Sequence, residues 1–107
     1  FPASGAFGPY LVTADEIPDP AALRLETRLN GQVMQGAPTG DMRFGVADLV
    51  AYASTFTRLE PGDVIANGTP SGVGFARQPP VWLQAGDVLE VEISGLGLLR
   101  NPVVDGD

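Results

Sequence analysis

Leu59-Glu60-Pro61-Gly62-Asp63-Val64-Ile65-Ala66-Asn67-Gly68-Thr69-Pro70-Ser71-Gly72-Val73-Gly74 is the stretch that decides the reading of this chain. Glu60-Pro61-Gly62-Asp63 is turn chemistry. Val64-Ile65-Ala66 is a short apolar run suited to a buried strand, with the strand expected over Val64–Asn67. Gly68 to Gly74 then forms a glycine-rich loop with a hydroxyl at its mouth. Such a loop lets backbone approach a ligand closely, and its free amides can hold an anion.

Working outward, Leu83-x-x-Gly86-Asp87-Val88 echoes Leu59-x-x-Gly62-Asp63-Val64. The echo occurs only twice, so it reads as one turn-into-strand device used again and not as a solenoid. Val88–Ile93 and Leu98–Val104 are the strands that follow, joined by Ser94-Gly95-Leu96-Gly97. Upstream, Leu23, Leu25, Thr27 and Leu29 alternate with Arg24, Glu26 and Arg28, a period of two with one face buried. Asn30-Gly31 is a strong hairpin turn signal, and Gln32–Gln35 returns. Gly36 to Gly40 reads as a loop. Tyr10–Thr13 is the one strand expected in the proline-rich opening. Val46 to Phe56 reads as a helix, with Val46, Leu49, Val50, Ala53 and Phe56 on one face. Gly45 serves as its N-cap, and Asp48 suits the positive helix start. The fold class is therefore mainly β with one or two helices.

Bulk properties remove several functions. A chain of 107 residues buries only roughly 60–68% of its unfolded surface. The net charge of −7 disfavours nucleic acid and an anionic membrane as partners. No apolar run approaches the ~20 residues of a membrane span. No basic-then-apolar leader is in view, so the expected location is cytoplasmic. The sequence has no Cys, no His and no Lys, and its six basic residues are all Arg. The usual general base, the Schiff-base amine and the thiolate nucleophile are thus absent. Ser54 and Ser71 have no His partner, so a serine-hydrolase triad cannot be assembled. No Lys-(Ser/Thr) follows the glycines, so the loop is not a P-loop.

Five segments in order resemble the fumarylacetoacetate hydrolase superfamily. They are Gly8-Pro9-Tyr10-Leu11-Val12-Thr13 with Asp15-Glu16-Ile17-Pro18-Asp19-Pro20, then Asn30-Gly31 with Gln35, then Asp41-Met42-x-Phe44, then the Leu59–Gly74 stretch, and last Leu83 to Gly97. The subgroup is similar to 5-carboxymethyl-2-hydroxymuconate isomerase and acylpyruvate hydrolase members. The resemblance implies that residues 1–107 are the C-terminal portion of a mixed β-roll, incomplete as it stands. It places a lysine just before Phe1, and a Glu-x-Glu metal pair with a further Asp upstream of that. No catalytic residue and no metal ligand is then expected in this chain. It also implies a Mg²⁺, Mn²⁺ or Ca²⁺ cofactor, a small 2-oxo acid substrate and a homodimer. The reaction it implies is C–C hydrolysis of acylpyruvate-type acids through a metal-stabilised enolate. The alternatives are isomerisation, oxo-acid decarboxylation or hydration.

The same resemblance makes Thr69 a contact to the substrate carboxylate, with Gly68 beside it and Gln35 on the substrate side. A hydroxyl with free loop amides suits that task. The bland alternative for Thr69 is a cap on the turn before Pro70. Arg43 and Arg77 could meet an anionic tail, or lie on the surface. Many members carry Phe-Asp-Thr after the lysine, whereas this chain has Phe1-Pro2-Ala3-Ser4, leaving Ser4 as the candidate replacement. Glu90-x-Glu92 tempts a metal reading, but Leu89, Val91 and Ile93 fill the other face, so the glutamates fit a solvated surface. Asp15, Glu16 and Asp19 read as a solvated acidic turn, Asp63 and Asp87 as local turn stabilisers, and Asp41 as an organiser of the loop before the helix. A competing class is a non-catalytic piece that binds an oxo acid or serves in dimerisation.

Overall fold

The structure is a computed structural model, and it describes residues 4–106. Four antiparallel strands form one sheet in the order β2-β1-β3-β4. They are β1 (Arg24–Leu29), β2 (Gln32–Pro38), β3 (Val88–Ile93) and β4 (Gly97–Pro102). Among the described residues a single α-helix, α1 (Val46–Ala53), lies between β2 and β3 in the chain. The expected class, mainly β with one or two helices, is what the structure has, and its sheet is antiparallel and not closed.

Asn30 and Gly31 take φ of +51° and +81°, the turn that matches strand twist in a tight hairpin. Asn30 also stitches this turn to the start of β3. Its Nδ2 donates to Asp87 Oδ1 at 2.8 Å, and its Oδ1 accepts from Val88 N at 2.8 Å. The echoed turns prove to be the same device. Asp63 Oδ2 accepts from Glu60 N at 2.8 Å, and Asp87 Oδ2 accepts from Gln84 N at 2.8 Å. Asp63 N and Asp87 N return to the Glu60 and Gln84 carbonyls.

Register separates two faces. Leu25 opposes Ile93, Thr27 opposes Val91, and Leu29 opposes Leu89, giving one apolar face. Glu26 opposes Glu92, and Arg28 opposes Glu90, on the other. Arg28 reconciles these like charges, bonding Glu26 at 2.7 Å, Glu90 at 3.1 Å and Glu92 at 2.7 Å. The three carboxylates raise its pKa, Glu92 contributing most. Glu90-x-Glu92 is therefore part of an ion-paired outer face.

Four expectations are corrected. Gly36 to Pro38 is strand, because β2 runs on to pair Pro38 with Arg24. Proline is tolerated there since β2 is an edge strand. Tyr10–Thr13 and Val64–Asn67 are in no ladder among the described residues. The turn at Glu60–Asp63 delivers its segment to a place with no neighbouring strand, and Val64 stays 64% exposed. The helix ends at Ala53, and single turns continue to Phe56, whose ring meets Tyr52 edge-on at 5.5 Å.

No described residue is fully buried. The chain exposes 8388 Å², against roughly 5,700 Å² for a folded monomer of this mass. Its radius of gyration is 15.5 Å, against about 13 Å for a compact domain of this length. The apolar sheet face borders an open cleft, across from α1 and the Gly68–Ser71 loop.

Candidate functional site

The cradle is assembled on an irregularity of β2. Thr27 opposes Gln35 and Arg28 opposes Val33, so Met34 is a bulge with no opposite residue. A bulge bends its strand and re-aims adjacent groups. Gln35, next in sequence, reaches the glycine loop. Its Nε2 donates to Thr69 Oγ1 at 2.9 Å and to Pro70 O at 2.8 Å. A carbonyl oxygen can only accept, so the Pro70 contact fixes this end of the amide as the NH₂.

Gly72 lies against the same bulge with φ of +106°. A Cβ there would come closer to Met34 O than the 3.0 Å that Cβ atoms keep, and within 3.2 Å of Gln35 Cγ. Arg77 closes the arrangement, its Nε donating to Gly72 O at 3.0 Å and its second nitrogen to Met34 O. Arg77 was a candidate for an anionic tail; here its guanidinium is bonded to two backbone carbonyls. Gly68 differs from Gly72, since nothing lies within 4 Å of where its Cβ would stand.

Thr69 is exposed at the rim of a cleft of about 890 Å³. Gly68, Thr69, Pro70 and Ser71 form one side. Leu25 and Ile93 of the sheet, Val46 and Leu49 of α1, and the Asp41–Phe44 segment are among its other walls. Arg43 thus lies on the cleft, whereas Arg77 does not line it. The loop before the helix is pinned by Thr39, which the sequence reading passed over. Thr39 Oγ1 accepts from Leu23 N and donates to Leu23 O, both at 3.0 Å. Asp48 caps α1 by accepting from Gly45 N at 3.1 Å.

Ser4 is exposed at the start of the described residues; Phe1, Pro2 and Ala3 lie outside them. Among the described residues, the Asp87 and Asp15 carboxyls sit below the usual range. For Asp87 the cause is first the Asn30 amide and then Gln84 N–H; for Asp15 it is first the Thr13 hydroxyl. Among the described residues, no three of His, Cys, Asp or Glu converge on a point that a metal ion could occupy. The clustered glutamates surround Arg28 instead. No described helix is long and apolar enough to cross a membrane.

Residues 1–104 match the family described as fumarylacetoacetate (FAA) hydrolase C-terminal. The chain belongs to the fumarylacetoacetate hydrolase family. It is 52% identical over 97 residues to a mitochondrial oxaloacetate tautomerase of Xenopus laevis, covering 91% of this chain and 30% of that protein. Fumarylacetoacetate hydrolase from psychrophilic Exiguobacterium antarcticum superposes with a TM-score of 0.88 at 48% identity, over 92% of this chain and 35% of that one. Maleylpyruvate hydrolase from Sphingobium sp. SYK-6, in complex with manganese(II) and pyruvate, superposes at 0.83 with 38% identity, over 94% and 35%. The chain spans about a third of the length of these family members.

Proposed function

We propose that the Gly68–Gly74 loop grips the carboxylate of a 2-oxo acid, with the Thr69 hydroxyl as donor. The protein carrying this chain then performs enolate chemistry on that acid. The observation that carries this reading is the Gln35–Thr69 hydrogen bond of 2.9 Å. Gln35 donates to the threonine oxygen, so the hydroxyl proton remains for a separate acceptor. Thr69 is exposed at the cleft rim, and Gly68 leaves its Cβ side open. A carboxylate seated there would receive a charge-assisted hydrogen bond. The gain is positional, holding the acid end while the keto end reacts.

In this reading a divalent cation, as in the manganese and pyruvate complex of the Sphingobium enzyme, supplies Lewis acidity to the reaction. Its ligands lie outside the described residues. For the reaction itself, C–C hydrolysis of an acylpyruvate-type acid is favoured by the two hydrolases that superpose on the chain. A second reading, enol–keto tautomerisation of an oxaloacetate-type diacid, is favoured by the 52% identical Xenopus relative. It needs the same grip on the carboxylate but no attacking water.

The test is calorimetric titration of the full-length protein with oxalate in the presence of Mn²⁺. Thr69→Val keeps the shape and removes the donor. Loss of a hydrogen bond to a charged group predicts binding weaker by about 10- to 100-fold. Wild-type affinity in a folded Thr69→Val protein refutes the cradle. Incubation with enolic oxaloacetate and with maleylpyruvate then separates the reactions. A tautomerase yields the keto acid intact, and a hydrolase yields two shorter acids.

A further inference from the structure

We infer that Arg77 is a positioning residue for the proposed carboxylate cradle, clamping the Thr69 loop to the β2 bulge; this inference rests on the reading of that loop as the cradle. Met34 has no opposite residue in the β1–β2 ladder, and its carbonyl accepts from the Arg77 guanidinium. The same guanidinium holds Gly72 O at 3.0 Å. Gln35, immediately after Met34, holds Thr69 and Pro70. The bulged Met34 and its paired neighbour Gln35 therefore fasten the loop at two points, directly at 69–70 and through Arg77 at 72. Gly72 lies so near Met34 O that no side chain fits between them, and the clamp closes without a gap.

Guanidinium chemistry explains the choice of residue. Its donors lie in a fixed planar fork and reach two carbonyls at once, whereas an ammonium is a compact point donor without that geometry. Both acceptors are neutral carbonyls and Arg77 does not line the cleft. The charge therefore acts on the loop's own backbone, and its effect on a bound acid passes through Thr69.

The experiment uses the full-length protein with Mn²⁺ and oxalate as probes, and compares Thr69→Val, Arg77→Ala, Arg77→Lys and the Thr69→Val/Arg77→Ala double variant. Arg77→Ala is expected to weaken oxalate binding by about 10- to 100-fold, the effect of a loop displaced by about an ångström. The double variant is expected to bind no more weakly than Thr69→Val alone, because both changes remove one interaction. Arg77→Lys keeps the charge, and hydrogen exchange of the Ala76 and Val81 amides, which donate to Val73 O and Gly74 O, is expected to quicken in it while the β3 amides stay protected. This arm stands if the alanine variant does not fold. Multiplicative losses in the double variant, wild-type oxalate affinity in folded Arg77→Ala, or unchanged exchange in Arg77→Lys would each overturn the inference. Wild-type affinity in Thr69→Val instead removes the cradle reading, a separate outcome from failure of the Arg77 arm.

Discussion

Replacing Gly72 by alanine tests the site where folding and function are hardest to separate. The residue holds φ of +106°, and keeping a side chain in that region costs about 1–3 kcal/mol. The new methyl would also overlap Met34 O and press on Gln35 Cγ and an Arg77 nitrogen, at 3.2 and 3.3 Å. Such overpacking adds about 1–3 kcal/mol. If the loop stays in place, urea unfolding of full-length Gly72→Ala should report a loss of about 2–6 kcal/mol, the sum of those two effects. If the loop lifts off the bulge to escape, stability is spared but the Gln35–Thr69 bond is pulled apart. A misplacement of roughly an ångström then predicts oxalate binding or turnover reduced about 100-fold. Denaturant unfolding and calorimetry on the same sample distinguish the two. A variant within about 0.5 kcal/mol of wild type, the ordinary range of a harmless surface change, and with unaltered oxalate affinity would show that Gly72 does not rest on the bulge as described.

Gly68→Ala should do the reverse. With nothing within 4 Å of the added carbon, unfolding should be unchanged while oxalate affinity falls, and unaltered calorimetry would move the ligand away from Gly68. A third expectation concerns acid. The Asp87 carboxyl is held below its ordinary value by Asn30 and Gln84, so the unfolded chain binds its proton first as pH drops. Its contribution to stability is full above the unfolded carboxylate value and lost as pH falls through the lower folded one. Asp87→Asn should be less stable at neutral pH and show a shallower loss below about pH 4, the unfolded carboxylate range; parallel stability–pH curves would refute this.

The parts of the fold legible in sequence are those with local causes. Asn30-Gly31 determines the hairpin turn, the alternation from Leu23 to Leu29 gives β1 its two faces, and the paired turns before Val64 and Val88 repeat atom for atom. What failed depended on neighbours. Val64-Ile65-Ala66 has strand composition, but a strand exists only with a ladder, and none reaches it here. Pro38 looked like loop because its tolerance on an edge is a property of sheet order. At the site, the glycines and Thr69 were visible as a pattern, and Gln35 was visible as a candidate. Its placement against Thr69 depends on a one-residue bulge that no local signal announces. Arg77 was ambiguous because its partner, Met34, stands 43 residues away.

The sheet's two outer strands both finish on proline, β2 at Pro38 and β4 at Pro102. Proline offers no N–H to an incoming strand, and the Met34 bulge breaks the outer rim of β2 as well. Growth of the sheet by lateral recruitment of foreign chains is thereby discouraged at both margins. A chain laid along either margin would meet a missing donor there, so edge-on pairing with these strands starts from a broken hydrogen-bond row.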